Sequence, residues 1–263
     1  MKTRSAIAYA VDEPLRVEEV ELDDPKEGEL LVRMVATGIC HSDLNHLVGD
    51  QPAPFPVILG HEGAGIVEAV GPGVSSVATG DRVVLTFVPT CGHCRYCVSG
   101  RTHLCEMGRL IMRGTQMDGT YRVHDASGRD INQIYMISTW SQHTVVPEMS
   151  VVKVDGRVPL NRACLTACGV ATGVGAVLNK ARVTPGSEVL VIGCGGVGIN
   201  VIQGARIAEA GTIIAVDTLD EKLELARRFG ATHVVNATND NVVERVKELT
   251  NRAGVEFSFA VVA

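Results

Sequence analysis

The sequence lacks an excess of positive charge. Its 263 residues carry 24 Lys and Arg against 30 Asp and Glu, which gives a net charge of −6 at neutral pH. A nucleic-acid-binding or membrane-surface protein ordinarily presents a basic stripe, and this composition leaves none. We therefore expect neither nucleic acid nor a membrane as a partner.

Long apolar runs are also lacking. Apolar residues make up 46% of the chain, as in an ordinary globular protein, and the longest apolar stretches are short and interrupted by glycine. The basic start, Met1 to Arg4, is followed by Asp12 and Glu13 before the apolar core of a signal peptide could develop. We therefore expect a cytoplasmic protein.

Internal repeats and low-complexity tracts are missing as well, and the chain is long enough for two domains. Its first part is typical of short strands punctuated by Gly and Pro, predicted at 18–22, 29–36, 63–70, 82–86, 144–146 and 151–154. A helix is predicted over 160–178, with Cys168 inside it. From Pro185 onward strands and helices alternate, which indicates a parallel sheet covered by helices. The fold class is α/β, with domains expected at 1–169 and 170–263.

Cysteine, by contrast, occurs eight times. Half of these residues form the run C-x2-C-x2-C-x7-C, made of Cys91, Cys94, Cys97 and Cys105. Four thiols this close in sequence can converge on one point, and an all-cysteine zinc site leaves no position open for a substrate. We interpret residues 91–105 as a structural zinc lobe. Disulfides or an iron–sulfur cluster are the alternatives.

A second, open metal site is indicated by three residues that lie far apart in sequence, Cys40, His61 and Cys168. Two cysteines and one histidine leave one of the four positions of zinc for water or substrate, which is the pattern of a catalytic zinc. Spacing cannot bring these residues together, so the fold must do so. Taken singly, each cysteine is more often a small buried hydrophobe. Cysteines engaged by metal suit a reducing cytosol rather than a disulfide scaffold.

The third pattern is the glycine motif Gly193-Cys194-Gly195-Gly196-Val197-Gly198. A short apolar strand precedes it, helical spacing follows it, and a second apolar strand ends in Asp217, about 20 residues past the last glycine, as in the dinucleotide-binding fingerprint. The glycines let the backbone approach a pyrophosphate, and the helix N-terminus supplies N–H donors. Asp217 can bond the ribose hydroxyls and repel a 2′-phosphate, so we predict NAD rather than NADP.

One stretch carries a family resemblance. Gly60-His61-Glu62-Gly63-Ala64-Gly65, followed by Gly71, Val74 and Gly80-Asp81-Arg82-Val83-Val84, resembles the signature of zinc-containing medium-chain alcohol dehydrogenases. The resemblance extends through the cysteine lobe and the glycine motif to nearly the whole chain. It implies a GroES-like, β-rich catalytic domain beside a Rossmann domain, two zinc ions and NAD per chain, an alcohol or aldehyde as the small-molecule substrate, and a homo-oligomer, either dimer or tetramer.

The resemblance also implies roles for individual residues. Cys40, His61 and Cys168 would bind the catalytic zinc, and Glu62 would lie close behind it. Three neighbours of Cys40 match family positions: Asp43 orients the ligand histidine, Ser42 begins a proton relay, and His41 contacts the cofactor pyrophosphate unless it is simply a surface histidine. Val197 and the motif glycines, with Asp217 and Lys222, would complete the cofactor site.

The chain departs from the better-known family members next to these residues. Asn45 stands where those members carry a histidine, and His46 follows one residue later, so the usual exit of the proton relay is expected to be missing. Phe87 and Trp140 match positions in the wall of the substrate pocket. Cys164 and Cys194 are expected to be structural.

Within the family, the sequence around Cys40 and the glycine motif is most similar to that of NDMA-dependent, actinobacterial-type alcohol dehydrogenases, which hold their NAD and need another electron acceptor. Glutathione- or mycothiol-type formaldehyde dehydrogenases are the alternative. The chain stops at Ala263, after four of the six strands of a complete Rossmann sheet. We therefore expect a truncated product, and a third hypothesis is an inactive zinc-binding fragment.

Overall fold

The computed structural model describes residues 1–262 and divides the chain into two compact units, Met1–Cys168 and Gly169–Ala263. The β-rich first unit and the α/β second unit confirm the predicted fold class. Among the described residues, no single helix is long and apolar enough to cross a membrane; one interrupted pair, Leu160–Ala167 and Gly169–Ala181, reaches that length and apolarity only when its two parts are taken together.

The first unit is built from ten strands in two sheets. In chain order these are Lys2–Ala8 (β1), Arg16–Leu22 (β2), Glu29–Thr37 (β3), Val57–Ile58 (β4), Gly63–Val70 (β5), Arg82–Leu85 (β6), Val123–His124 (β7), Asp130–Gln133 (β8), His143–Pro147 (β9) and Val151–Lys153 (β10). A closed barrel has the order β1-β2-β7-β8-β4, and a five-stranded sheet has the order β10-β6-β5-β3-β9. Two short helices, His41–Leu47 (α1) and Leu160–Ala163 (α2), complete the unit.

The second unit is a four-stranded parallel sheet with helices between its strands. Its strands are Glu188–Ile192 (β11), Thr212–Asp217 (β12), His233–Asn236 (β13) and Phe257–Ala260 (β14), and its helices are Gly169–Gly175 (α3), Gly196–Ile207 (α4), Asp220–Phe229 (α5) and Val242–Leu249 (α6). The order β13-β12-β11-β14 is that of the first four strands of a Rossmann sheet. The central strands are apolar along their length because a parallel sheet covered by helices is buried on both faces.

The predicted helix over residues 160–178 is wrong as a single element. Helix α2 ends at Ala163, a 3-10 turn covers Cys164–Ala167, and Cys168 has φ −141° and ψ −78°, outside the helical region. A new helix begins at Gly169. The apolar spacing continues across the break, so periodicity alone cannot show it. Cys168 therefore lies at a corner of the chain and not on a helix face.

Strand β1 is missing from the sequence-based prediction for an identifiable reason. Its inward positions include Thr3 and Ser5, which are almost completely buried although both are polar. The Oγ1 of Thr3 lies 3.2 Å from His143 Nδ1, and the Oγ of Ser5 lies 2.7 Å from Ser141 Oγ. Side-chain hydrogen bonds thus replace the apolar alternation by which a half-buried strand is normally detected.

A buried ion pair joins the two sheets of the first unit. Arg122 is 0% exposed, and its Nε and Nη2 donate to the two carboxylate oxygens of Glu29 at 2.8 and 2.6 Å. Nη2 also donates to Asp118 Oδ2 at 2.9 Å. Glu29 begins β3 and Arg122 directly precedes β7, so this fork fixes the barrel against the open sheet.

We predict that Arg122→Met lowers the free energy of unfolding by about 3–5 kcal/mol, because it leaves the buried carboxylate of Glu29 without its partner. The matched control is Arg33→Met, which removes an exposed pair, Arg33 Nε to Glu68 Oε1 at 2.7 Å. The control should cost less than about 1 kcal/mol. Urea unfolding of both variants measures the difference, and equal losses would contradict the assignment.

Candidate active site

The fold brings together the three residues of the predicted open metal site. The donor atoms of Cys40, His61 and Cys168 all lie within 4.8 Å of one another, and the two sulfur atoms are 4.0 Å apart. Cys40 directly precedes α1, His61 follows Gly60 in the segment before β5, and Cys168 stands at the corner after the 3-10 turn. Two thiols and one imidazole in this arrangement fit a zinc site that keeps a position open for substrate.

A buried carboxylate organises this ligand set. Asp43, which is 0% exposed, lies on α1 with its Oδ1 3.1 Å from His61 Nδ1. The same Oδ1 accepts the N–H of Gly60 at 3.0 Å, and Oδ2 accepts the N–H of Cys40 at 3.2 Å. An acceptor on Nδ1 leaves Nε2 of His61 free to bind metal. Asp43 is therefore placed to orient the ligand histidine, as the family resemblance implies.

The same contacts shift the titration of two ligands. Hydrogen bonds from Cys168 and His61 lower the pKa of the Cys40 thiol to about 3, which favours the thiolate that metals bind. Burial acts to lower the pKa of His61, but Asp43 and Cys40 outweigh burial and raise this pKa to about 9. The surroundings of the site thus favour a thiolate at Cys40 and a protonated Nδ1 of His61 facing Asp43.

Two aromatic rings stand next to the ligand histidine. The ring of Phe87 lies edge-on to His61 with 5.5 Å between centroids, and Tyr135 lies perpendicular to His61 at 5.4 Å. Sequence reasoning proposed Phe87 as a pocket residue but missed Tyr135. The described ring contacts of His61 do not include Trp140, whose indole N–H donates to the Gly38 carbonyl at 3.3 Å.

The remaining residues predicted around this metal differ in exposure. Glu62 is buried, and its carboxylate occupies the space beside Gly38 that a side chain at residue 38 would enter. Ser42 is half-buried in the first turn of α1, and His41 is exposed. Asn45 is half-buried, whereas the neighbouring His46 is only 1% exposed. Cys164 is buried one turn before Cys168.

The cysteine lobe gathers its four thiols as predicted. The sulfur atoms of Cys91, Cys94, Cys97 and Cys105 lie within 4.8 Å of one another. The backbone N–H groups of Cys91 and Cys94 each donate to a sulfur of the set at 3.4 Å, to Cys105 and Cys91 respectively. All four cysteines are free thiols, which is contrary to the disulfide alternative. Four sulfur donors around one point fit a closed, structural zinc.

The glycine motif forms the turn between β11 and α4. Gly193 has φ +96°, a conformation that side chains disfavour, and a side chain at Gly198 would strike the Gly193 carbonyl. Gly195 precedes α4 and Gly196 and Val197 begin it; no atom lies within 4 Å of a Cβ built at either glycine, so the helix N-terminus is open to a pyrophosphate.

Asp217 ends β12 beside this turn. Its Oδ2 accepts the N–H of Cys194 at 2.8 Å, while Oδ1 accepts the N–H groups of Thr218 and Leu219 at 2.8 and 3.1 Å. Burial raises the pKa of this carboxyl, but these N–H donors and the charge of Lys222 outweigh burial and hold the pKa below its usual value. A carboxylate here suits ribose hydroxyls and repels a 2′-phosphate. Lys222 is close enough to act on it. Cys194 is buried, and burial raises the pKa of its thiol to about 11.

The chain is similar to known zinc-dependent dehydrogenases. Residues 26–156 match the model of the alcohol dehydrogenase GroES-like domain, and residues 196–263 match that of zinc-binding dehydrogenases. The chain is 45% identical to an NDMA-dependent alcohol dehydrogenase from Amycolatopsis methanolica over 95% of this chain and 67% of the relative. It is also 45% identical to an S-(hydroxymethyl)glutathione dehydrogenase from Escherichia coli O1:K1, over 98% of this chain and 71% of the relative.

The chain belongs to the zinc-containing medium-chain alcohol dehydrogenase family. Among solved structures it resembles benzyl alcohol dehydrogenase from Acinetobacter calcoaceticus, with a TM-score of 0.91 and 34% identity over 99% of this chain and 70% of that one. The family predicted from the sequence is confirmed. As a member of this alcohol dehydrogenase family, the chain uses zinc and NAD as cofactors, and its two cysteine-containing donor sets are consistent with two zinc ions.

We predict that a chelator removes the zinc of the Cys40, His61 and Cys168 set first, because that set has three donors and an open position. The lobe zinc, enclosed by four thiolates, should remain. Metal analysis should fall from two zinc ions per chain to one as activity disappears. Simultaneous loss of both metals would contradict the distinction between open and closed sites.

A substitution in the lobe tests the structural assignment. Cys97→Ser should prevent stable folding or lower the melting temperature strongly, since a structural zinc contributes its binding free energy to folding. Cys164→Ser is the matched control because Cys164 is a buried cysteine outside both donor sets. The control should retain two zinc ions per chain, as measured by metal analysis of the purified protein.

We also predict that Asp217→Asn shifts cofactor preference towards NADP. Removing the charge ends the repulsion of a 2′-phosphate, and weakening a charged hydrogen-bond acceptor should lower NAD affinity about tenfold. Asp220→Asn makes the same charge change three residues later, at the start of α5, and should leave the preference unchanged. Calorimetric titration with both cofactors measures the ratio, and an unaltered ratio in Asp217→Asn would show that this carboxylate does not select NAD.

Proposed function

We propose that this chain oxidises apolar, aryl-sized alcohols to aldehydes with NAD. Alcohol oxidation with zinc and NAD is the reaction of its family. The observation that carries the finer proposal is the pair of aromatic rings, Phe87 and Tyr135, at 5.5 and 5.4 Å from the His61 ring. Apolar walls beside an open metal position favour a substrate with an apolar body and one hydroxyl group. The similarity to a benzyl alcohol dehydrogenase supports this choice.

The residues of the first unit have separate roles in the proposed reaction. Cys40, His61 and Cys168 would hold the zinc, and Asp43 keeps the imidazole of His61 in register through its 3.1 Å contact. When bound, zinc polarises the alcohol hydroxyl and NAD accepts a hydride, so that alcohol and NAD⁺ give aldehyde, NADH and one proton. The Ser42 hydroxyl, half-buried in the first turn of α1, would begin the proton relay: it accepts the proton of the alcohol while its own proton passes to water.

The second unit holds the cofactor. Its open α4 N-terminus receives the pyrophosphate, and Asp217, with Lys222 nearby, receives the adenosine ribose. His41 is exposed, and its proposed contact with the pyrophosphate rests on the family resemblance alone. Assembly as a dimer or tetramer, which the resemblance implies, belongs to the same proposal and is measured by sedimentation.

Oxidation of a thiol adduct of formaldehyde is the second candidate. It is favoured by the 45% identity to an S-(hydroxymethyl)glutathione dehydrogenase. The two candidates separate in one experiment, in which NADH formation is followed with benzyl alcohol, and with formaldehyde in the presence and absence of glutathione. Turnover that requires glutathione would replace the first candidate by the second. A third arm adds an artificial electron acceptor, as the name of the NDMA-dependent relative suggests.

We predict that Ser42→Ala lowers kcat for alcohol oxidation about 100-fold or more, the usual range for losing a proton-transfer group. Ser42→Thr keeps the hydroxyl and is the matched control, expected to retain most of the activity. Zinc content and NAD affinity should be nearly unchanged in both variants, because the serine side chain is not itself one of the three metal donors. Equal activity of Ser42→Ala and the unchanged protein would exclude Ser42 as the proton acceptor.

A further inference from the structure

Helix α1 and the residue before it contribute three residues to the metal site and its surroundings. Cys40 precedes the helix, Asp43 follows three residues later, and His46 three residues after that. Residues at this spacing share one face of a helix. Cys40 is a metal donor and Asp43 orients His61, as described above. The third, His46, is 1% exposed and has no part in the reaction as proposed so far.

The partner of His46 is Tyr135. The Nε2 of His46 lies 2.9 Å from the Tyr135 hydroxyl, and its Nδ1 lies 3.4 Å from the Gln51 carbonyl. A carbonyl only accepts, so Nδ1 carries the ring proton and Nε2 accepts from the tyrosine hydroxyl. The Tyr135 ring is 9% exposed, so this hydrogen bond is shielded from water and fixes the ring position.

The backbone of Tyr135 is held in an uncommon conformation. Tyr135 has φ 54°, and Met136 and Ser138 follow with φ 62° and 42°. Bulky side chains rarely adopt these values, so the segment is strained and the surroundings must maintain it. In this conformation the ring meets that of His61 perpendicularly and lies 5.6 Å from that of Phe87.

Geometry places the Tyr135 ring close to the metal site, with its centroid 5.4 Å from that of the ligand His61. The ring presents an apolar surface beside the ligand histidine.

We propose that His46 is a positioning residue for substrate selection: through the hydroxyl of Tyr135 it fixes that ring as one wall of the space beside His61 that receives the apolar body of the alcohol. This inference rests on the proposed oxidation of aryl-sized alcohols and names the residue that sets its selectivity. An unfixed ring would have to be ordered again each time an aryl-sized substrate binds, whereas a two-carbon alcohol offers less surface for the ring to contact.

The first variants are His46→Leu, which removes the acceptor, and Tyr135→Phe, which removes the donor and keeps the ring. Each should raise KM for benzyl alcohol about three- to tenfold, the cost of ordering one side chain on binding. In both variants the ratio of KM for benzyl alcohol to KM for ethanol should therefore rise about three- to tenfold. His46→Gln places a hydrogen-bonding group near the position of Nε2 and should restore the benzyl alcohol KM.

A control variant and a double variant separate positioning from general damage. His143→Leu removes another histidine of the first unit, one whose Nδ1 lies 3.2 Å from Thr3 Oγ1, and it should leave the ratio of the two KM values unchanged. The double variant His46→Leu, Tyr135→Phe should resemble Tyr135→Phe alone, because both changes remove one interaction. Equal effects on both alcohols, or a failure of His46→Gln to restore KM, would overturn the proposal.

Calorimetric binding of benzyl alcohol to the zinc-loaded protein without NAD provides a readout that needs no turnover. Its affinity should fall by the same factor in His46→Leu and Tyr135→Phe. If the unchanged protein oxidises no alcohol, the proposed function fails, and this affinity alone decides the present inference. Should His46→Leu not fold, Tyr135→Phe carries the same test, and an unaltered affinity in a zinc-loaded Tyr135→Phe protein would refute the role of the pair.

Discussion

The carboxylate of Asp43 is the contact on which the metal site depends. It accepts hydrogen bonds from the backbone at Cys40 and Gly60 and meets the imidazole of His61. These groups belong to two chain segments that carry two of the three metal donors. A single buried acceptor thus fixes the distance between those donors before any metal binds. Preorganisation of this kind lets a metal bind without reordering the chain.

How much could be predicted from the sequence depends on how local each feature is. The four lobe cysteines, from Cys91 to Cys105, lie within one loop, so their convergence follows from spacing. The glycine motif from Gly193 to Gly198 is equally local, because a strand, a turn and a helix in succession define it. Cys40, His61 and Cys168 come from distant segments, and here family resemblance supplied what spacing could not. The single helix predicted through Cys168 was wrong because apolar periodicity continues across the break.

The features that sequence reasoning missed share a physical cause. Strand β1 was missed because its inward side chains are polar: Thr3 and Ser5 hydrogen-bond to His143 and Ser141 instead of forming an apolar face. Tyr135 was missed because the orientation of its ring depends on a left-handed backbone conformation. No local sequence pattern predicts that conformation at a residue other than glycine. His46 was noticed only as a displaced histidine, since its burial depends on that same tyrosine. Tertiary contacts decide all of these positions.

The three backbone hydrogen bonds accepted by Asp217 have an evolutionary consequence. The residue that would distinguish the two nicotinamide cofactors also ties the glycine turn, through Cys194, to the end of the neighbouring strand. A lineage that came to use a phosphorylated cofactor could not simply discard this acid, because the turn would lose its anchor. It would first need another acceptor for those N–H groups. We therefore expect cofactor preference in such a chain to change in two steps. A substitution that supplies another acceptor for these N–H groups comes first, and the loss of the Asp217 charge follows.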